Sequence, residues 1–152
     1  MRIRPAAPPD EAFIFRLSEQ LSAFPVPAWR TAAEIAAADH AILLGALHQP
    51  TSETSLLVAE EGRGKSLGYV FTSTHADYFT HEPHGHVEVL AVEAAARRRG
   101  VGQALMTAAE EWARSRGYRR ITLNVFAQNE CARQFYDRLG YQPETVHYHR
   151  EL

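Results

Sequence analysis

The sequence predicts a mixed α/β fold, a central β-sheet of parallel and antiparallel strands with helices packed on both faces. The first pointer is a strand–helix–strand run: "HVEVLAV" at 86–92, an amphipathic stretch from Gly100 to Arg116, then "RITLNV" at 120–125. A crossover of this length makes its two strands parallel. The second pointer is a pair of β-type runs, Leu56 to Ala59 and Leu67 to Thr74, joined by "EGRGK". They read as an antiparallel hairpin. Helical patterns before and after these strands need both faces of the sheet to bury their apolar stripes. A chain of 152 residues fits one domain over 1–152.

The elements follow in order. Residues 2 to 5 make a short first strand, and Pro8-Pro9-Asp10 opens a helix in which Phe13, Leu17, Leu21 and Phe24 recur on one face. Pro25 and Pro27 end it. "TAAE" at Thr31 to Glu34 has the spacing of a capping box and predicts a second helix over 32–48. After the hairpin, the polar and aromatic stretch from His75 to Gly85 reads as a surface loop. A helix from Asn129 to Leu139 and a final strand over "PETVHYHREL" complete the chain.

Composition excludes several functions. Sixteen Lys and Arg against eighteen Asp and Glu leave a formal charge of −2, so a broad grip on nucleic acid is not expected. Cys131 is the one cysteine; it allows no internal disulfide or cysteine zinc cluster and fits a reducing cytoplasm. The first residues lack the apolar core of a secretory signal, and "AILLGAL" falls far short of the roughly 20 residues of a membrane-spanning helix. Soluble, cytoplasmic and free of membrane is the expectation.

The charged turn "RRRGVG", Arg97-Arg98-Arg99-Gly100-Val101-Gly102, lies between the C-terminal end of a strand and the start of a helix. Unpaired N–H groups point outward there, and the helix dipole favours negative charge. Arginines left in water at that place would oppose the dipole for no return, so a pyrophosphate is the expected guest. The spacing is not that of a Walker phosphate loop. "GVGQAL" also lacks the third small residue of a dinucleotide fingerprint, and no acidic residue ends the next strand.

The turn, the "VLAV" strand before it and the block "LNVFAQNECARQFYDRLGY" after it resemble the GNAT acyltransferase superfamily, whose acyl-coenzyme A loop reads Q/R-x-x-G-x-G/A. The resemblance runs from about residue 55 to the end and is weaker before that. It implies a GNAT-like fold and acetyl-CoA as co-substrate, held by Leu90, Ala91, Val92, Arg97 to Gly102, Gln103, Asn129 and Arg133. It also implies a bulge at Leu90 to Val92, with an amide of Ala91 or a neighbour stabilising the oxyanion. Asn129 serves equally well as an N-cap.

An amine near pKa 10 must lose a proton before its nitrogen can attack a thioester. Strand alternation sets His86 and Glu88 on one face and Val87 and Val89 on the other. The family often uses Glu or His at such places, which makes Glu88 the first candidate base and His86 the second. Either also fits a plain structural role on a strand or at a loop end. Tyr136 matches the tyrosine of the family's "N-x-x-A-x-x-F-Y" helix and would protonate the departing thiolate. Ala132, Phe135, Tyr136 and Leu139 also form an apolar stripe that suits a core tyrosine.

The acceptor pocket falls to Phe24–Trp29, the 75–86 loop and the C-terminal strand, with Trp29, Tyr78 and Phe79 as aromatic substrate contacts and Asp77, Glu82 and Glu88 attracting a cation. His84 with His86, or His147 with His149, share strand faces, yet neither pair completes a ligand set, so no metal is expected. The function implied is direct transfer of acetyl from acetyl-CoA to a primary amine of a small molecule or peptide. A non-catalytic acyl-CoA sensor would keep the turn and dispense with Glu88 and Tyr136. A second copy covering the last sheet edge would give a homodimer.

Overall fold

The computed structural model describes residues 1–21, 23–62 and 64–152. Its strands are β1 (Arg2–Pro5), β2 (Thr54–Glu61), β3 (Lys65–Ala76), β4 (Pro83–Val92) and β5 (Ile121–Leu123). Its helices are α1 (Glu11–Ser18), α2 (Ala32–His48), α3 (Val101–Ser115) and α4 (Glu130–Arg138). The sheet order is β1-β2-β3-β4-β5, antiparallel throughout except for the parallel pair β4–β5. Of the hairpin turn, Arg63 lies outside the described residues.

Two apolar layers enclose the sheet. Ile14 and Leu17 of α1 and Leu43 and Leu47 of α2 pack with Val58, Tyr69, Phe71, Val89 and Ala91 on one face. Val101, Leu105, Met106 and Ala109 of α3 pack with Ala59, Leu67, Val70 and Val87 on the other. Each fully buried leucine in these layers contributes about 2 kcal/mol of transfer free energy. The helix starts are defined locally: Thr31 Oγ1 accepts from the Glu34 amide at 3.2 Å, and the Glu34 carboxylate accepts from the Thr31 amide at 2.7 Å. Near the first strand, the buried Asp10 accepts two hydrogen bonds from the Arg4 guanidinium, at 2.7 and 2.8 Å, and ties β1 to the start of α1.

Four sequence expectations change. The first helix stops at Ser18, so Leu21 and Phe24 lie beyond it, and Phe24 packs its ring on Phe126 at 5.1 Å. The loop read over 75–85 shrinks to 77–82, because β3 and β4 pair through polar residues out to His75–His84 and Ala76–Pro83. No strand forms over 143–152; β5 pairs through only three residues, and Val146 and Tyr148 stay exposed. The bulge lies not at Leu90 to Val92, which pair regularly with Val70, Tyr69 and Gly68, but at Glu88.

That bulge governs the site. Val87 faces Thr72 and Val89 faces Phe71, so Glu88 is one residue too many for the ladder. Alternation breaks there: Val87 enters the α3 layer and Val89 the α1–α2 layer, not one common face. β4 and β5 part company at the same place, since β5 pairs only with Gly85, His86 and Val87. The remainder of β4 has an open edge.

Candidate active site

The open edge leads directly to the charged turn. The Glu93 amide donates to the Leu67 carbonyl, so by antiparallel alternation the amides of Ala91 and Val89 also face β3. Those of Leu90 and Val92 therefore point to the open side, and the amide expected at Ala91 belongs to the ladder. At the end of β4 the chain passes through Arg98, at φ 59°, and Gly100, at φ 78°, into α3. Gly100 caps the helix in a left-handed conformation that a side chain would strain. The first bond of the turn runs from the Ala104 amide to the Gly100 carbonyl, 3.0 Å. Ahead of it the amides of Val101, Gly102 and Gln103 make no well-formed hydrogen bond among the described residues. These are the donors that an anion at a helix start uses.

The three arginines do not share one role. Arg99 is tied to Glu61, whereas Arg97 and Arg98 are exposed and form no ion pair among the described residues. Gly102 also fits for a reason other than approach to a ligand: a Cβ there would stand 3.1 Å from the ring of Phe135 in α4, a tight contact. The glycine lets α4 close over the start of α3. Asn129 caps α4, its Oδ1 accepting from the Ala132 amide at 3.1 Å, and Arg133 reaches back to the Ala127 carbonyl. A cavity of about 480 Å³ opens on the α1 side of the turn, lined by Arg16, Lys65, Glu93 and Arg99 among others. It contains none of the acid–base residues.

Those residues gather at the bulge. Glu88 Oε1 accepts from Ser73 Oγ at 2.5 Å and from His75 Nε2 at 2.7 Å. The His75 ring stacks on His86, centroids 4.3 Å apart, and His86 Nδ1 lies 2.7 Å from Thr122 Oγ1. Asn124 stands beside His86 Nε2 at 3.5 Å. Burial pushes the Glu88 carboxyl up, but the hydrogen bonds from Ser73 and His75 and the nearby imidazoles outweigh it and hold the group below its ordinary range. Burial and the charge of His75 push His86 down against the pull of Glu88, so His86 is mostly neutral at neutral pH.

His86 and Glu88 are brought together as expected; His75 and Ser73 were not anticipated. The available signal was the pair Ser73-x-His75 at a spacing of two, opposite His84-x-His86 across a hairpin. His75, His86 and Glu88 each bring one donor atom within 4.8 Å of the others, a grouping different from either histidine pair read from the sequence. Its 2.7 Å contact is a hydrogen bond, since two atoms on one tetrahedral zinc stand about 3.3 Å apart.

Tyr136 lies in the α3 layer with its ring edge-on to Phe135 and Tyr141, and burial pushes its hydroxyl up to about 12. Trp29 stacks flat on His149 at 4.3 Å, which joins the α1–α2 connection to the C-terminal segment. Tyr78 and Phe79 pair edge-on with each other at the β3–β4 turn, both largely exposed. Asp77 accepts from the Phe79 and Thr80 amides and pairs with Arg120, so it organises that turn. No helix among the described residues is long and apolar enough to cross a membrane.

Known proteins resemble this chain in sequence or in fold. A mycothiol acetyltransferase from Amycolatopsis mediterranei (strain U-32) is 37% identical over 92 residues, 59% of this chain and 30% of that protein. The chain thus spans less than a third of that relative's length. A provisionally named acetyl transferase from Pyrococcus furiosus superposes with a TM-score of 0.80 at 24% identity, over 99% of both chains. The structure of AAC(6')-Iy in complex with the bisubstrate analogue CoA-S-monomethyl-acetylneamine superposes with a TM-score of 0.72 at 22% identity, over 99% of this chain and 97% of that one. At these identities the likeness establishes the fold, a mixed sheet between helical layers. The model described as "Acetyltransferase (GNAT) family" matches residues 15–141, most of the chain, and the chain belongs to that family.

Proposed function

We propose that this chain, acting as one domain, is an N-acetyltransferase that moves acetyl from acetyl-CoA directly to a primary amine of a small molecule or peptide. The observation that carries the reading is the continuity of one unpaired backbone edge. The unpaired amides at the start of α3 lead along the open edge of β4 to the carboxylate at its bulge. The amides of Val101, Gly102 and Gln103 bind the diphosphate, with Arg97 and Arg98 supplying charge. Leu90, Ala91 and Val92 run beside the pantetheine arm, and Asn129 and Arg133 border it from the start of α4.

Chemistry follows from position. Glu88 draws the ammonium form of the acceptor into the site and accepts a hydrogen bond from it, with His86 as the neutral imidazole beside it. Once the nitrogen is unprotonated it attacks the thioester carbonyl, and the Leu90 amide, directed to the open edge, donates to the oxygen that gains charge. The carbon–sulfur bond then breaks as Tyr136, a hydroxyl that keeps its proton at neutral pH, protonates the sulfur, and the hydrogen the nitrogen sheds on becoming an amide restores the phenol. Trp29, with Tyr78 and Phe79 at the outer turn, contacts the acceptor.

The acceptor is found by screening polyamines, aminoglycosides, amino acids and peptide N-termini for release of coenzyme A thiol, alongside calorimetry with acetyl-CoA. Thiol release that requires one class of amine supports the reading. Tight uptake of acetyl-CoA with no transfer to any amine would replace it by the sensor function.

A further inference from the structure

We infer that His75 is a positioning residue that serves as the proton outlet of this site, taking the proton that arrives at Glu88 and delivering it to bulk water. The inference rests on the acetyl-transfer reading above. Converting a protonated amine and a thioester into an amide and a thiol leaves one proton over: the ammonium nitrogen gives up two hydrogens, and the sulfur takes only one. Every turnover must export that proton, and the site needs a path for it.

The geometry offers one. Ser73 and His75 both bond to Oε1 of Glu88, which leaves Oε2 for the acceptor amine. Exposure rises outward along the cluster: the side chain of Glu88 is 24% exposed and that of His75 is 44%, while His86 is 7% exposed. His86 is closed behind the pair by Thr122, so it is no exit. Stacking on His86 fixes the plane of the His75 ring with Nε2 toward Glu88, and Nδ1 has no partner among the described residues. Once Glu88 holds the proton, the His75 tautomer protonated at Nδ1 accepts it at Nε2 and releases the Nδ1 hydrogen to water, and exchange with water returns the ring to that tautomer, which a carboxylate at the same place cannot match near neutral pH. The carboxylate is also held below its ordinary range by burial opposed and overcome by its hydrogen bonds, so it passes a proton on rather than storing it. The other titratable groups facing Glu88 are His86 on β4 and Asp39 from α2, with His84 acting on His86 and His40 next to Asp39.

Two measurements on the intact chain decide it. Histidine titration followed by NMR in the natural protein and in Glu88→Gln reads the pairing without any turnover. Loss of the carboxylate should shift the resonance of His75 Nε2, which loses its partner at 2.7 Å; an unmoved resonance overturns the inference. In steady-state assays His75→Gln keeps an N–H for Glu88 but cannot relay a proton. Its kcat should fall about tenfold with both KM values unchanged, and added imidazole should restore it. An undiminished kcat that ignores buffer concentration overturns the outlet, as does a loss in His75→Ala that imidazole never rescues. Absence of turnover in the natural protein sinks acetyl transfer itself, while the NMR titration still decides whether Glu88 and His75 share a proton.

Discussion

The start of α3 and the cluster at the β4 bulge lie along one strand and are built in opposite ways. The first is main chain: three amides ahead of the first helical bond, with two glycines keeping the backbone in its path. The second is side chains, Ser73, His75, His86 and Glu88, drawn from two strands and set by their register. A main-chain site needs a short run of sequence and tolerates change around it. A side-chain site depends on every pairing that aligns its members.

That contrast can be broken by substitution. The largest effect is expected from Glu88→Gln, which removes the carboxylate and keeps its size: kcat should drop by about 10²–10³, with acetyl-CoA binding by calorimetry unchanged. A parallel loss of cofactor affinity would mean that the two regions are not separate. Next comes Gly102→Asp. A Cβ 3.1 Å from Phe135 presses on that ring, and the new carboxylate repels the diphosphate, so the Kd for acetyl-CoA should weaken about 100-fold, some 2.7 kcal/mol. Tyr136→Phe should lower kcat by about tenfold, because a thiolate leaves readily and needs its acid less than an amine needs its base. The smallest effect belongs to Thr31→Ala, which removes one arm of the capping box of α2. Thermal or urea unfolding should show about 1 kcal/mol lost, with cofactor affinity intact.

The same contrast explains what could be read from the chain. The α2 start at Thr31, the amphipathic α3 and the turn with Gly100 and Gly102 are local, and each was legible in a window of a few residues. The parallel and antiparallel pairings were legible from connection lengths. His75 was not, because it acquires meaning only when stacked on His86, eleven residues away across a turn that looked too polar for a ladder. The bulge was displaced for a related reason: an extra residue has no composition of its own and is visible only when two strands are counted against each other. Gly102 was read as an approach for phosphate, whereas its tight neighbour, Phe135, is contributed by a helix far along the chain and could not be seen in a local window. The final strand failed because a strand needs an edge to pair with, and β5 offers three residues.

Glu88 interrupts a strand that would otherwise be perfectly regular. Without it, His86, Val87, Val89 and Leu90 would alternate inward and outward in step, and Thr72 and Phe71 would meet their partners without a jog. The proposed base is thus a guest in the weave: a chain shortened by that one residue would regain a regular ladder with Val87 and Val89 still in their two apolar layers. Architecture and the proposed chemistry would then part at the cost of a single codon.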